Sequence, residues 1–175
     1  LQGLDHLLAS IQPAAVIGQG DTASVLAASM ASFFRHIPFA HVEAGLRTGN
    51  IHLPFPEELN RVLTSRMTRW HFAPTLTAQH NLIKEGYAAQ DIWVTGNTVI
   101  DALHMMLNSS KSAGAAQVKT PAREGREFVL ITAHRRENLG EPMREICRAI
   151  AALALEHPKL DFIYPVHPNP AVRQV

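Results

Sequence analysis

Apolar positions along the chain fall into two kinds of block, short continuous runs and longer segments in which they recur every three or four residues. The short runs are typical of buried parallel strands, and the longer segments are typical of amphipathic helices. The runs predict strands over residues 13–18, 37–42, 69–73, 92–95, 128–132 and 160–166. The longer segments predict helices over residues 22–35, 56–68, 75–85, 98–110 and 142–157. Strands that alternate with helices predict an α/β fold with parallel sheets and right-handed crossovers.

The segment from 56 to 68 predicts a helix with one apolar face. Pro56 suits the first helical position, where its missing N–H is not needed for a hydrogen bond. The apolar residues recur at helical spacing, so we expect them to form the buried face. These residues are Leu59, Val62, Leu63 and Met67.

The apolar pattern stops between residues 109 and 127, where the chain is rich in small and polar residues. Such a composition is typical of a linker or loop. We therefore expect two lobes, residues 1–112 and residues 127–175, joined by a linker at 113–126. The second lobe has only two predicted strands, fewer than an independent sheet needs. We therefore expect the chain to be the central part of a larger protein.

Composition and charge exclude several classes of protein. The chain has 175 residues, of which 46% are hydrophobic and 18% charged, and its formal net charge is +1. These values argue against a disordered chain and against a protein that binds nucleic acid or a membrane surface through a basic stripe. No apolar run approaches the roughly 18 residues of a membrane span. The single cysteine, Cys147, suits a reducing compartment, so we expect a cytoplasmic protein.

Carboxylates follow the first two predicted strands of this set. Asp21 lies in the segment GQGDTAS, Glu43 lies in HVEAGLRTGN, and Glu57 and Glu58 open the helix that follows. Acids at the carboxyl ends of neighbouring parallel strands point into one crevice. They repel one another there unless a substrate, an arginine or a shared proton relieves them. The arrangement favours general acid–base chemistry.

Each of these acids also has a structural explanation. Asp21 could be the N-cap of the helix that follows it. Glu43 could form an ion pair with Arg47, and Glu57 could pair with Arg61 four residues later on the helix surface.

A basic cluster follows the strand at 128–132. His134, Arg135 and Arg136 stand at its carboxyl end, and His167 occupies the corresponding place after the next strand. Guanidinium groups and the amides of such a turn can together bind a phosphate. The alternative is a solvated basic turn without a ligand.

Other motifs add little. Asn97, in the segment GNTVID, either caps the helix that follows or faces the crevice. The spacing of the ten histidines matches no compact set of metal ligands, so no metal site is predicted. The sequence contains no G-x-S-x-G elbow, no P-loop and no G-x-G-x-x-G that opens a helix, which argues against a hydrolase or a dehydrogenase, and no cofactor is predicted.

Six segments resemble, in order and spacing, the non-hydrolysing bacterial UDP-N-acetylglucosamine 2-epimerases. They are GQGDTAS, HVEAGLRTGN, PFPEELNR, TGNTVIDAL, ITAHRREN and YPVHPNP. The resemblance implies a glycosyltransferase-B-like fold of two Rossmann-like lobes, both incomplete in this chain. It also implies interconversion of UDP-GlcNAc and UDP-ManNAc, through elimination of UDP to a 2-acetamidoglucal and its re-addition. Members of the family work in polysaccharide biosynthesis as cytoplasmic homodimers without a metal or nicotinamide cofactor.

The resemblance also assigns roles to residues. Asp21, Glu43 and Glu57 would be the acid–base set, and His134 would stabilise the leaving diphosphate with Arg135 or Arg136. In some members a second UDP-GlcNAc binds beside the substrate and activates the enzyme, and Glu57, Arg135 and His167 are candidates for that contact. The residues expected to bind substrate are Arg135, Arg136, His167, Glu58 and Asn97.

The sequence departs from the family pattern by the absence of two motifs and by one small residue. It lacks the G-T-R-P-E turn and the D-S-G-G-x-x-E-E motif that bind the nucleotide, so we expect the isolated chain to be inactive. Gly18 stands where members more often carry a larger apolar residue. The alternatives are a hydrolysing epimerase, a sugar-nucleotide glycosyltransferase of the same fold, and a non-catalytic nucleotide-binding fragment.

Overall fold

The computed structural model of the chain describes residues 1–112, 122–133, 135 and 138–174. The chain forms two compact units, Leu1–Ala113 and Gly114–Val175. Most of the linker predicted at 113–126 lies outside the described residues. Each unit carries its own parallel sheet.

The first unit is a four-stranded parallel sheet with helices between its strands. The sheet order is β1–β2–β3–β4, with a short 3₁₀ turn at Ala89–Asp91 before the last strand. Its strands are β1 (Val16–Gln19), β2 (Phe39–Val42), β3 (Trp70–Ala73) and β4 (Ile92–Val94). Its helices are α1 (Gln2–Ile11), α2 (Ala23–Phe34), α3 (Glu57–Met67), α4 (Leu76–Lys84) and α5 (Thr98–Ser112).

The second unit contains one pair of parallel strands. Its elements are β5 (Phe128–Leu130), α6 (Glu141–Glu156), β6 (Asp161–Ile163) and α7 (Pro170–Arg173). Asp161 begins β6 and accepts hydrogen bonds from Arg123, at 2.7 Å from the backbone nitrogen and 2.9 Å from Nε. These bonds hold the pKa of the Asp161 carboxyl below its usual range. They fix the start of the strand.

The predicted α/β class with parallel sheets, as in the glycosyltransferase-B-like fold, is confirmed. Every predicted strand and helix is present, although the strands are only three or four residues long. The flanking residues that were assigned to strands lie in the connecting turns, as residues 13–15 before β1 do. In the described part of the chain, no helix has both the length and the apolar character needed to cross a membrane.

The core of the first unit lies between the sheet and α4. Its buried side chains are Ala44, Ala73, Ala78, Leu82 and Ile92, with Leu46 and Tyr87 packed against them. Gly45 makes this packing possible, since a Cβ there would lie only 2.3 Å from the carbonyl oxygen of Ala78 and its φ is +87°. The segment that follows β2 therefore lies directly on α4.

Gly18 fills a similarly restricted place inside β1. A Cβ there would lie 2.6 Å from the ring of Phe39, which is fully buried in the neighbouring strand. The large ring of Phe39 thus occupies the space that a side chain at position 18 would need.

Helix α3 buries a polar face, so the prediction that its apolar residues face inward is wrong. Leu59 and Leu63 are 37% and 41% exposed, and Val62 and Met67 are half-buried. The buried residues are Glu58, Asn60, Arg61, Thr64 and Ser65. Several of them bind the segments that follow β1 and β2, whose backbone amides and carbonyls need hydrogen-bond partners when they are covered. This demand overrides the apolar pattern of the helix.

Candidate active site

Gly20 and Asp21 form a tight turn after β1, here called the Asp21 turn. Strand β2 binds both the backbone nitrogen and the backbone carbonyl of Gly20, the first residue of this turn. The backbone nitrogen of Gly20 donates to the carbonyl of Val42 at 3.0 Å. The carbonyl oxygen of Gly20 lies 2.8 Å from Nε2 of His41. The turn is therefore fixed to the strand that carries Glu43 at its end.

Helix α3 holds the second residue of the turn. The Asn60 side-chain amide donates to the backbone carbonyl of Asp21 at 2.9 Å. The guanidinium of Arg61 lies 3.3 Å from the Asp21 carboxylate. Because both contacts come from the first turn and a half of α3, the start of that helix lies beside the Asp21 turn.

The side chain of Asp21 does not cap the helix that follows. Thr22 is the N-cap of α2, and its hydroxyl accepts a hydrogen bond from the backbone nitrogen of Val25 at 3.3 Å. The Asp21 carboxylate thus has no capping role and is 33% exposed. It is held by an arginine on one side and is open to a ligand on the other.

Glu43 is the first residue after β2, and its backbone is left-handed, with φ of +69°. A non-glycine residue in this region costs about 1–2 kcal/mol, and such strain is concentrated at functional sites. A Cβ on Gly20 would lie 3.6 Å from Oε2 of Glu43, so this carboxylate stands against the Asp21 turn. The Glu43 carboxylate therefore lies beside the backbone of the turn that carries Asp21, at the shared edge of β1 and β2.

Arg47 has another partner than the expected Glu43. Its Nε and Nη2 donate to the two carboxylate oxygens of Glu85 at 2.7 and 3.0 Å. Nη2 also donates to the hydroxyl of Ser65 at 3.0 Å. Arg47 ties the segment after β2 to α3 and to the end of α4, and the carboxylate of Glu43 is left to the crevice.

Glu58 is buried under the same segment, with only 1% of its surface exposed. Its Oε1 accepts hydrogen bonds from the backbone nitrogens of Thr48 and Gly49 at 2.9 and 3.0 Å. Its Oε2 lies 3.3 Å from Nε of Arg61. These contacts suit a residue that positions the loop rather than one that touches a substrate.

Glu57 is the first residue of α3 and is half-buried. Arg61 forms its ion pairs with Asp21 and Glu58 instead of with the Glu57 carboxylate. The alternative explanation of Glu57 as an ion-pair partner of Arg61 is therefore not the one observed. Its place in the first helical turn favours a negative charge through the helix dipole.

Asn97 caps α5, because its Oδ1 accepts a hydrogen bond from the backbone nitrogen of Val99 at 3.1 Å. The next residue, Thr98, accepts a hydrogen bond from the Gln19 side chain at 2.8 Å. Since Gln19 ends β1, the start of α5 lies at the same edge of the sheet as Asp21. Asn97 therefore belongs to the surroundings of the acids.

In the second unit, Arg135 and His167 follow the carboxyl ends of the two parallel strands, and both side chains are exposed. His134 and Arg136 lie outside the described residues. The Tyr164 hydroxyl donates to the carbonyl of Ala133 at 2.5 Å and so links the ends of β5 and β6. This unit presents an arginine and a histidine at the same kind of sheet edge at which the first unit presents acids.

The ring of His167 has a defined tautomer. Its Nδ1 accepts a hydrogen bond from the backbone nitrogen of Asn169 at 3.1 Å. In the neutral ring the proton is therefore on Nε2. Among the described residues there is no group of three or more His, Cys, Asp or Glu side chains that could hold a metal ion.

The sequence reasoning missed three residues that hold the site together, namely His41, Asn60 and Arg61. Asn60 and Arg61 lie three and four positions after Glu57, so they share its helix face. That spacing in PFPEELNR could have revealed a polar buried face. It was hidden by the expectation that only apolar residues face inward.

Comparison with known proteins gives one consistent result. The family model described as UDP-N-acetylglucosamine 2-epimerase matches residues 1–175. The UDP-N-acetylglucosamine 2-epimerase of Escherichia coli K12 is 44% identical over 99% of this chain and 48% of its own length. That of Bacillus subtilis is 47% identical over 98% of this chain and 44% of its own length.

The solved structures agree with these relatives. UDP-GlcNAc 2-epimerase from Neisseria meningitidis bound to UDP-GlcNAc superimposes with a TM-score of 0.93 at 43% identity. The match covers 99% of this chain and 48% of the Neisseria chain. This chain thus spans about half the length of the relatives that it matches.

Proposed function

This chain belongs to the UDP-N-acetylglucosamine 2-epimerase family, and on that premise we propose that it serves the interconversion of UDP-GlcNAc and UDP-ManNAc. The observation that supports the proposal is the place of Asp21 and Glu43 at the ends of two adjacent parallel strands, with the Glu43 carboxylate beside the Asp21 turn and Arg61 paired with Asp21. The Neisseria relative with UDP-GlcNAc bound supports the nature of the substrate.

The chemistry of the substrate explains why several acids are needed. The C2 proton of the sugar is not next to a carbonyl, so it becomes acidic only as the C1–oxygen bond to UDP breaks. A carboxylate takes that proton, a C1–C2 double bond forms, and UDP departs with the bonding electrons. Re-addition of UDP at C1 with protonation of C2 from the opposite face then gives the epimer. Asp21, Glu43 and Glu57 are the proposed acid–base set.

The leaving diphosphate needs positive charge. Arg135, Arg136 and His134 are the proposed groups that stabilise it, since guanidinium and imidazolium groups bind phosphate oxygens through charged hydrogen bonds. His167 is proposed to bind the nucleotide sugar from the neighbouring strand end. Asn97, near Asp21, and Glu58, beneath the loop, complete the proposed substrate site, Glu58 by positioning.

Finer features of the family are part of the same proposal. We place Leu1–Ala113 in the first Rossmann-like lobe and Gly114–Val175 in the second. We also propose a cytoplasmic homodimer that acts in polysaccharide biosynthesis, and a second UDP-GlcNAc as an activator in contact with Glu57, Arg135 and His167. Size determination by light scattering tests the dimer.

Proton exchange at C2 tests the function. The protein is incubated with UDP-GlcNAc in D₂O, and C2 is followed by proton NMR while phosphorus NMR follows UDP. Two proteins are compared: the chain itself, and a chimera in which it replaces the matching half of the Escherichia coli relative. Deuterium at C2 together with UDP-ManNAc is the expected result for the chimera.

Other outcomes have definite meanings. Free ManNAc with released UDP would replace the proposal with a hydrolysing epimerase. A chimera that unfolds cooperatively and binds UDP but exchanges no deuterium would overturn the acid–base assignment. The unmodified Escherichia coli enzyme is the positive control.

A further inference from the structure

His41 lies in the middle of the sheet and forms a hydrogen bond to the Asp21 turn of the proposed site. It is fully buried in β2, in register between Gly18 of β1 and His71 of β3. Its Nε2 lies 2.8 Å from the carbonyl oxygen of Gly20, directly before Asp21. Its Nδ1 is buried without a hydrogen-bond partner among the described residues.

The contact with Gly20 fixes the protonation of the ring. A carbonyl oxygen can only accept, so Nε2 must carry a proton. A second proton on Nδ1 would place a buried charge without a partner.

The charged groups around the ring come from several elements. Burial is the largest influence on the pKa of His41 and lowers it, whereas the hydrogen bond to Gly20 acts in the opposite direction. Arg47 and Arg61 also disfavour a positive charge on the ring, and Asp21 favours it. Burial lowers the pKa of the neighbouring His71 as well.

We propose that His41 is a positioning residue for Asp21, and that its neutral Nε2–H tautomer orients the peptide between Gly20 and Asp21. The Gly20 nitrogen is already held by Val42, and the Asp21 carbonyl by Asn60. The His41 bond fixes the one remaining carbonyl of the turn, so the Cα–Cβ bond of Asp21 has one direction. The effect on catalysis rests on the proposed function; the hydrogen bond and the tautomer do not.

His71 provides a matched control. It is the in-register neighbour of His41, is 1% exposed, and also has a buried Nδ1 without a partner. Its ring contacts the ring of Tyr87, at 4.8 Å between centroids, on the core side of the sheet. Replacing either histidine with phenylalanine keeps a ring of similar shape, but only His41→Phe removes a donor from the Asp21 turn.

The tautomer is tested first, on the chain itself. Nitrogen-15-labelled histidine is observed in long-range proton–nitrogen spectra, and the His41 signals are identified by their loss in His41→Gln. We expect a neutral ring protonated at Nε2 throughout the range in which free histidine titrates, around pH 6.5. A ring protonated at Nδ1, or one that becomes doubly protonated in this range, would overturn the proposal.

The positioning role is tested by kinetics in the chimera. We expect His41→Phe to lower kcat about 10²-fold, as displacement of a catalytic group by about 1 Å does, with little change in KM. His41→Gln keeps an N–H donor and should restore most of that loss, and His71→Phe should stay near the unsubstituted chimera.

Equal losses in His41→Phe and His71→Phe, or no rescue by His41→Gln, would show a general packing role and overturn the proposal. If His41→Phe does not fold, His41→Met, which also lacks a donor, is compared with His71→Met, and only the variant at position 41 should lower kcat. An inactive chimera would count against the proposed function alone, since the tautomer measurement stands without turnover.

Discussion

The acids of the first unit and the Arg135 and His167 side chains of the second stand at equivalent edges of parallel sheets, but they are held very differently. Asp21 and its turn are bound by β2, by a histidine ring and by two side chains of α3. Arg135 and His167 project from exposed turns. The first arrangement fixes the direction of the Asp21 side chain. The second presents exposed side chains, of which the long Arg135 carries a positive charge.

This difference matches the two tasks of the proposed reaction. Proton transfer depends steeply on the distance and angle between the base and the C–H bond. Binding of a diphosphate depends mainly on charge and tolerates several geometries. The first unit should therefore be sensitive to small changes in shape, and the second unit should be sensitive mainly to loss of charge.

The largest expected effect is the loss of an acid with its shape kept. Glu43→Gln should lower the rate of C2 deuteration in the chimera about 10³-fold, because the amide cannot accept the proton. Glu156→Gln, at the exposed end of α6, is the control. Undiminished deuteration in Glu43→Gln would remove Glu43 from the acid–base set.

Loss of the buried arginine comes next and affects stability. Arg61→Met should lower the free energy of unfolding of the first unit by about 3 kcal/mol, since it leaves buried Glu58 without its cation. Both tryptophans, Trp70 and Trp93, lie in this unit, so their fluorescence during urea unfolding reports on it. Arg69→Met, which breaks the more exposed pair with Asp91, should cost less than about 1 kcal/mol.

Substitutions that keep the charge separate the two units most directly. Asp21→Glu moves the carboxylate by about one methylene and should lower kcat about 10²-fold. Arg135→Lys keeps the cation, on which binding of a diphosphate mainly depends, and should change kcat/KM by only about 10-fold or less, which corresponds to about 1.4 kcal/mol. If Asp21→Glu and Arg135→Lys lowered steady-state activity by the same factor, the proposed difference between the two units would be wrong.

The remaining prediction is a dependence of stability on pH. Burial lowers the pKa of His71 to about 4, and His41 and Arg47 act in the same direction. The unfolded chain, with a histidine pKa of about 6.5, therefore binds the extra proton first. Stability from this group is complete above about pH 6.5 and falls as the pH decreases towards 4, by up to about 1.4 kcal/mol per pH unit.

Urea unfolding on both sides of the histidine pKa measures this dependence. His71→Phe should remove much of the decrease, and the exposed His80→Phe should leave it unchanged. If the decrease were the same in His71→Phe as in the unsubstituted chain, other groups would be responsible.

The sequence predicted the strands and helices, because these depend on local patterns. Apolar runs mark the strands, and residues directly after neighbouring parallel strands lie at one sheet edge, which is the edge at which Asp21 and Glu43 stand. Partner choice could not be predicted in this way. Arg47 pairs with Glu85, 38 positions away, and Arg61 pairs with Asp21, 40 positions away, over separations set by tertiary packing.

The apolar pattern alone also gave the wrong buried face for α3. Its apolar residues suggest an ordinary amphipathic helix, but the covered loops after β1 and β2 present backbone groups that only polar side chains can satisfy. Asn60 and Glu58 meet that demand. Helix α3 packs on α2 as well as on these loops, and hydrophobicity alone gives the wrong face for it.

Because the backbone at Glu43 is left-handed, the residue that is best for stability at this position differs from the residue that is best for catalysis. Glycine would adopt this conformation without strain, so Glu43→Gly should make the fold more stable by about 1 kcal/mol. It would also delete the proposed acid. A library screened only for thermal resistance would therefore enrich the inactive glycine variant, whereas one screened for C2 exchange would retain the strained glutamate.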